Sequence, residues 1–165
     1  MLLPFPRPIN AFAAWLEQTP VSEAIASHSW VVPTVQSVHI LGIATVATSA
    51  LILDLRLLGV YGADQSLKSV AARFLPFLWW SLLVLLLSGT IMIVGEPPRS
   101  LRNSAFQLKM LLLIAAIAVT FVCQRRIRNN AAPTDRDMMD IVLAVVSMAL
   151  WVGIIFAGRW IAYFT

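Results

Sequence analysis

The sequence predicts an all-α protein: an integral membrane four-helix bundle preceded by a short interfacial helix. Three observations predict it. Hydrophobic residues make up 59% of the 165 residues and charged residues only 12%, against about 25% charged in a typical soluble domain. The mean hydropathy is +0.83. The apolar residues fall into four long runs, each near the roughly 20 residues that cross about 30 Å of hydrocarbon. Strands of a membrane barrel would be about half that length and would alternate apolar with polar, which these runs do not. At this length one domain covering residues 1–165 is expected.

The N-terminus, MLLPFPRPIN, carries prolines where a signal peptide needs an unbroken apolar core, so no cleaved signal is expected. In INAFAAWLEQTP, Ile9, Phe12, Ala13 and Leu16 share one helical face with Trp15 at its edge. That predicts a helix lying in the membrane interface, apolar side down. Thr19-Pro20 offers an N-cap followed by proline at the first helical position, so a second short helix, VSEAIASHS, is expected. Together these interfacial helices occupy residues 8–28.

The spans are predicted at about 30–53, 75–94, 106–123 and 141–162. Pro33 falls early in the first, where proline bends or restarts a helix. The fourth is preceded by TDRD, with Thr134 placed as N-cap and Asp137 three residues on. Gly153 and Ala157 in span four, and Ser88 with Gly89 in span two, are the small residues that let membrane helices pack closely.

The basic residues give the orientation. The connections after spans one and three, with their flanks, hold Arg56, Lys68, Arg73, Arg125, Arg126, Arg128 and Arg136. The opposite side holds Arg7, Arg99, Arg102, Lys109 and Arg159. Seven against five puts both termini outside the cytoplasm, hence on the periplasmic side of a bacterial inner membrane. Trp79 and Trp80 are expected in the inner aromatic belt, and Trp160 and Tyr163 in the outer one. The net charge of +4 arises between the apolar runs and forms no basic stripe interleaved with aromatics, so no nucleic-acid partner is expected.

The chemistry-bearing residues are few. The one cysteine, Cys123, ends an apolar run and reads as a buried thiol. There is no phosphate-binding glycine loop, CxxC, HExxH or nucleophile–base pair. Two histidines remain, His28 and His39. Eleven residues apart, they would lie about 20° from the same face of one unbroken helix and about 16 Å apart along it, too far to share one metal ion. His39 lies inside span one, where an ionisable side chain marks a bundle interior or a cavity. Gln36 and Gly42 flank it by three residues on either side, and Val46 and Ala50 continue the strip.

Two readings of His39 stand. In one, imidazole is the axial metal ligand of a haem b, Gly42 leaves a flat gap for the ring, and Lys109 and Arg159 hold the propionates. In the other, His39 hydrogen-bonds a neighbouring helix, Gly42 only permits close packing, and Lys109 and Arg159 snorkel to headgroups or pair with Glu96. Asp54 and Arg56, two apart at the end of span one, do not face each other. Asp54 is expected to pair with the next loop or with the Arg125–Arg128 cluster; the alternative is a proton-relay role, against which the spans hold no second central carboxylate to build a path.

The stretches WLEQTPVSEAI, VHILGIATVATSALILDLRLLGV, EPPRSLRNSAFQLKMLLL and FAGRWIAY resemble a family of uncharacterised bacterial four-span membrane proteins, over nearly the whole chain. That family brings no activity with it. More distantly, a histidine early in span one with a lysine opening span three is similar to the four-span membrane protoporphyrinogen oxidases and to the copper-resistance D-type membrane proteins. The resemblance to the oxidases implies haem binding at His39 and Lys109. The chain departs from that pattern in having no histidine in spans two, three or four. A second axial ligand would have to be His28, a methionine such as Met92, Met110 or Met148, or a partner's group, unless the position stays open.

The function expected is that of a haem-b-binding or related redox protein passing electrons to or from a quinone or a periplasmic partner. It would not be an enzyme by itself; an activity of its own would be that of an oxidoreductase. A homodimer or a place in a larger membrane complex is compatible with the small-residue faces. The alternatives are a cofactor-free scaffold or anchor subunit, and a small transporter or metal-handling protein. Transport is disfavoured by the want of paired midplane charges and broken half-helices.

Overall fold

Thr19 stops one helix and starts the next. Its hydroxyl donates to Leu16 O at 2.7 Å and accepts from Ser22 N at 3.4 Å, and Pro20 occupies the first helical position, where its missing N–H costs nothing. The computed structural model describes residues 7–62, 64–129 and 137–161, and these form seven helices and no strand. Helix α1 is Arg7–Glu17, α2 Pro20–Ser27, α3 Val31–Leu57, α4 Leu67–Gly95, α5 Pro97–Leu101, α6 Ser104–Asn129 and α7 Met138–Trp160. Thr134, Arg136 and Tyr163 lie outside the described residues.

Helices α3, α4, α6 and α7 are each long and apolar enough to cross a membrane. They run up and down in turn. Helix α3 packs chiefly on α4 and α6 on α7; α3 meets α7, while α4 and α6 touch least. The result is a four-helix bundle of two hairpins. Its core is small: Val46, Ala50, Leu53, Val70, Ala71, Leu78, Ala116, Ile127, Trp151 and Ile154. Large side chains such as Leu41, Leu86, Leu111 and Ile114 stand about two-thirds exposed along the outside. In water that surface would drive aggregation; in a bilayer it is the lipid-facing coat. The chain is a multi-pass membrane protein.

The spanning helices overrun their apolar runs. Helix α4 begins at Leu67, eight residues ahead of the predicted start at Leu75, because the Ser66 hydroxyl caps it by accepting from Ser69 N at 3.1 Å. Pro76 is tolerated inside it, on an exposed face. Helix α7 is capped by Asp137, whose carboxylate accepts from Met139 N at 3.4 Å. Asp137 therefore takes the capping role expected of Thr134.

Helices α1, α2 and α5 close one end of the bundle. Helix α1 packs on α5 and α2 on α4, and the Ser22 hydroxyl donates to Val94 O at 2.7 Å. The α1 stripe is not purely a lipid face. Ala13 is fully buried, whereas Phe12 and Trp15 pair on the outside with ring centroids 5.8 Å apart. At the other end Arg126 bridges α6 to the start of α7, reaching Asp137 at 2.7 Å and Asp140 at 2.8 Å. Trp79 also departs from expectation. Its indole N–H donates inward to Gln124 Oε1 at 3.2 Å, leaving Trp80 as the outward ring at that level.

Candidate functional site

The strip that begins at His39 faces the bundle. Gly42, Val46 and Ala50 are buried and His39 is half-buried. Its Nδ1 lies 2.8 Å from Ser88 Oγ on α4. The Ser88 hydroxyl has one proton, which it donates to Val84 O at 2.6 Å. With that proton given to Val84 O, Ser88 Oγ accepts from His39 in the tautomer that carries its hydrogen on Nδ1, and in that tautomer Nε2 keeps its lone pair. Sequence reasoning gave Ser88 and Gly89 only a packing role. Gly89 lies directly against the imidazole: a Cβ there would be 3.5 Å from His39 Cε1.

Lys109 joins the site from α6. It is half-buried, and its ammonium acts electrostatically on the His39 imidazole. Gly158 of α7 makes room for it; a Cβ at Gly158 would stand 3.7 Å from both Lys109 Cε and Nζ. Arg159 follows Gly158 on an exposed turn. Glu96 pairs with Arg99 at 2.9 Å. His39 and Lys109 thus belong to opposite hairpins, the one on α3 and the other on α6.

Two expected members, Gln36 and His28, stand elsewhere, and Gly42 plays a different part. Gln36 is exposed and turned away from the strip, because the buried seam runs through Gly42 on the other flank of His39. Gly42 leaves no flat gap, since a Cβ there would already meet Leu85 Cδ2 at 3.0 Å; Leu85 fills that side. His28 is the exposed C-cap of α2, with Nδ1 2.8 Å from Ala24 O and 3.1 Å from Ser27 Oγ. The break at residues 28–30 separates it from α3, so the two histidines share no helix and no face.

Asp54 is the other departure. It pairs with neither the following loop nor the arginine cluster. Arg56 turns to the Gln65 carbonyl and Arg126 to Asp137 and Asp140. The Asp54 side chain is 3% exposed, continuing the buried strip one turn beyond Ala50, and the Ser147 hydroxyl lies in hydrogen-bonding reach of it. No group of three or more His, Cys, Asp or Glu side chains among the described residues converges as a metal site.

A family model matches residues 14–164, from the second half of α1 to the end of α7 and beyond. The chain belongs to the DUF6644 family. That family is described as one of unknown function, so membership fixes kinship over nearly the full length and leaves the chemistry to be argued from the residues. No curated protein and no solved structure matches this DUF6644 chain.

Proposed function

We propose that this DUF6644 protein is a redox protein of the bacterial inner membrane, both termini on the periplasmic side. It would hold a haem b or a related electron-carrying group at His39 and exchange electrons with a quinone or a periplasmic partner. One observation carries the reading: Ser88 holds His39 by Nδ1 at 2.8 Å, which suits the tautomer that leaves Nε2 as the free ligand nitrogen. An imidazole oriented through one nitrogen, with a lone pair on the other, is the arrangement metal-binding histidines use. The donor set fits haem iron, and Lys109, with Arg159 near by, supplies cationic charge for the propionates.

The fit has limits on two sides. Leu85 occupies the space beside Gly42 and the Gly89 backbone lies against the imidazole, so a ring would have to lie on the half-exposed side of His39. His39 is the sole histidine within the four spanning helices, so haem would have one histidine ligand per chain. Bound there, haem supplies one-electron chemistry. Ser88 keeps the imidazole tautomer, and the apolar surroundings keep water away.

The test is a visible spectrum of the full chain purified in detergent, oxidised and then reduced with dithionite. A Soret band that shifts on reduction and vanishes in His39→Ala, with helicity retained, is the expected result. A folded protein that stays colourless after haem is supplied overturns the reading. It would favour the second one, a cofactor-free anchor subunit, in which His39–Ser88 is a stitch between α3 and α4. The close seat of Leu85 on Gly42 is the observation that supports that alternative.

A further inference from the structure

Asp54 is the one buried carboxyl in the described bundle core, and its environment is asymmetric. The Ser147 hydroxyl is within reach of the carboxyl, but Oδ2 is buried without a hydrogen-bond partner. The side chain lines a cavity with about 20 Å³ open to the centre of a water molecule. A water needs roughly 10–15 Å³ measured that way, together with polar partners. Here the polar wall is Asp54 with Thr120, Cys123, Gln124 and Ser147, and the remainder is leucine, isoleucine and alanine.

Among the described residues no cation faces the carboxyl. On α3, Arg56 is turned to Gln65 O. The α4 wall, Leu75 and Leu78, carries nothing titratable. On α6 the neighbours are Cys123 and Gln124, and Arg126 is committed to Asp137 and Asp140. On α7, Asp140 is held by Arg126, and Ser147 is neutral. A carboxylate sealed in such a place would leave a charge desolvated and unpaired, which proteins avoid by neutralising the group. In the acid form the same carboxyl gains an O–H, and the orphan oxygen becomes a donor or acceptor to a water.

We propose that Asp54 is a proton-binding site: a carboxyl that holds and releases a proton inside the bundle, through one water held in this cavity with Thr120 and Ser147. The step is protonation of a carboxylate and its reverse, with the proton drawn from water at the α6–α7 end and no electron moved. A hard metal cation fits worse, since it gathers many oxygen ligands. Here Gln124 Oε1 already accepts from Trp79, and the rest of the wall is chiefly apolar. Membrane-buried acids with neutral polar neighbours are the groups proton relays are built from. The inference stands without the haem reading, because Asp54 lies fifteen residues from His39, about 22 Å along α3.

The experiment is infrared difference spectroscopy of the full chain in lipid across a pH series, in H2O and D2O. The expected result is a carboxylic-acid carbonyl band that persists above the ordinary aspartate range, shifts in D2O and is absent from Asp54→Asn. Should Asp54→Asn fail to fold, Ser147→Ala and Thr120→Val are to move that band's frequency, since they change its hydrogen bonds. A carboxylate band at every pH down to the ordinary aspartate range overturns the proposal. So does thermal stability that rises with sodium but not with choline at equal ionic strength, because that assigns the site to a cation.

Discussion

His39 Nδ1 and Ser88 Oγ meet at 2.8 Å across the interface of α3 and α4, and the Ser88 hydroxyl donates a hydrogen bond to Val84 O. Ser88→Ala removes the acceptor and leaves the imidazole N–H unanswered. The expected loss is about 0.5–2 kcal/mol, the range for hydrogen bonds between membrane helices, read from unfolding in mixed micelles. Ser88→Thr keeps the oxygen and should recover most of it. If a haem is held at His39, Ser88→Ala also weakens its retention by about 10–100-fold. An unchanged unfolding midpoint would show that the contact does nothing for stability.

The α2 cap on the bundle is set by close packing at Gly95. A Cβ there would stand 2.8 Å from Ile25 Cγ2 and 3.4 Å from Val32 Cγ2, two β-branched side chains with little freedom to yield. Gly95→Ala should cost about 1–3 kcal/mol by overpacking. It should also loosen α1 and α2 more than the spans. Limited proteolysis is the measurement: cleavage between α1 and α3 should speed up while the four long helices stay intact. Ser22→Ala, which cuts the 2.7 Å bond to Val94 O, should act in the same direction and more weakly.

Asp137 lies outside the spans and shows a pH effect whose sign can be worked out. The Arg126 guanidinium, by hydrogen bonding, and then the Met139 N–H hold its carboxyl below the usual carboxylate range. A depressed folded value adds stability above the ordinary aspartate value of about 3.9. That stability is lost as pH falls through the lower folded one. Because the pair is exposed, the effect is small. The wild-type melting temperature should drop below about pH 4 by more than that of Asp137→Asn, and 0.5 M salt should narrow the difference. Equal acid profiles for the two proteins would contradict this.

Trp79 and Gln124 link the two hairpins with a 3.2 Å hydrogen bond. Gln124→Leu keeps the volume and strands the indole N–H. About 0.5–2 kcal/mol should be lost, with a change in indole fluorescence that Trp79→Phe abolishes. A fluorescence change that survives Trp79→Phe would assign it to another tryptophan.

The four spans were legible because apolar runs of that length have few other destinations. Their ends were not. Helix α4 runs on through Leu67–Phe74, where Lys68 and Arg73 make a hydropathy reading stop although Ser66 has begun the helix. The strip through His39, Val46 and Ala50 was also legible, but its flank was not: Gln36 and Gly42 lie symmetrically about His39, and only the partner helix decides which is covered. Asp54 was legible in principle, four residues beyond Ala50 on the same strip, yet its place at the end of an apolar run read as a loop edge. The polar partners that make it a site, Thr120 and Ser147, come from other helices, and no spacing within one segment announces them.

The slight contact between α4 and α6 sets which way a guest could arrive. Three of the four helix boundaries are closed by extensive packing, while this one depends on few contacts, the Trp79–Gln124 bond among them. Molecules dissolved among the acyl chains would meet that boundary sideways, without first crossing an aqueous mouth. A long-tailed amphiphile could then keep its tail in the bilayer while its head turns inward between the hairpins.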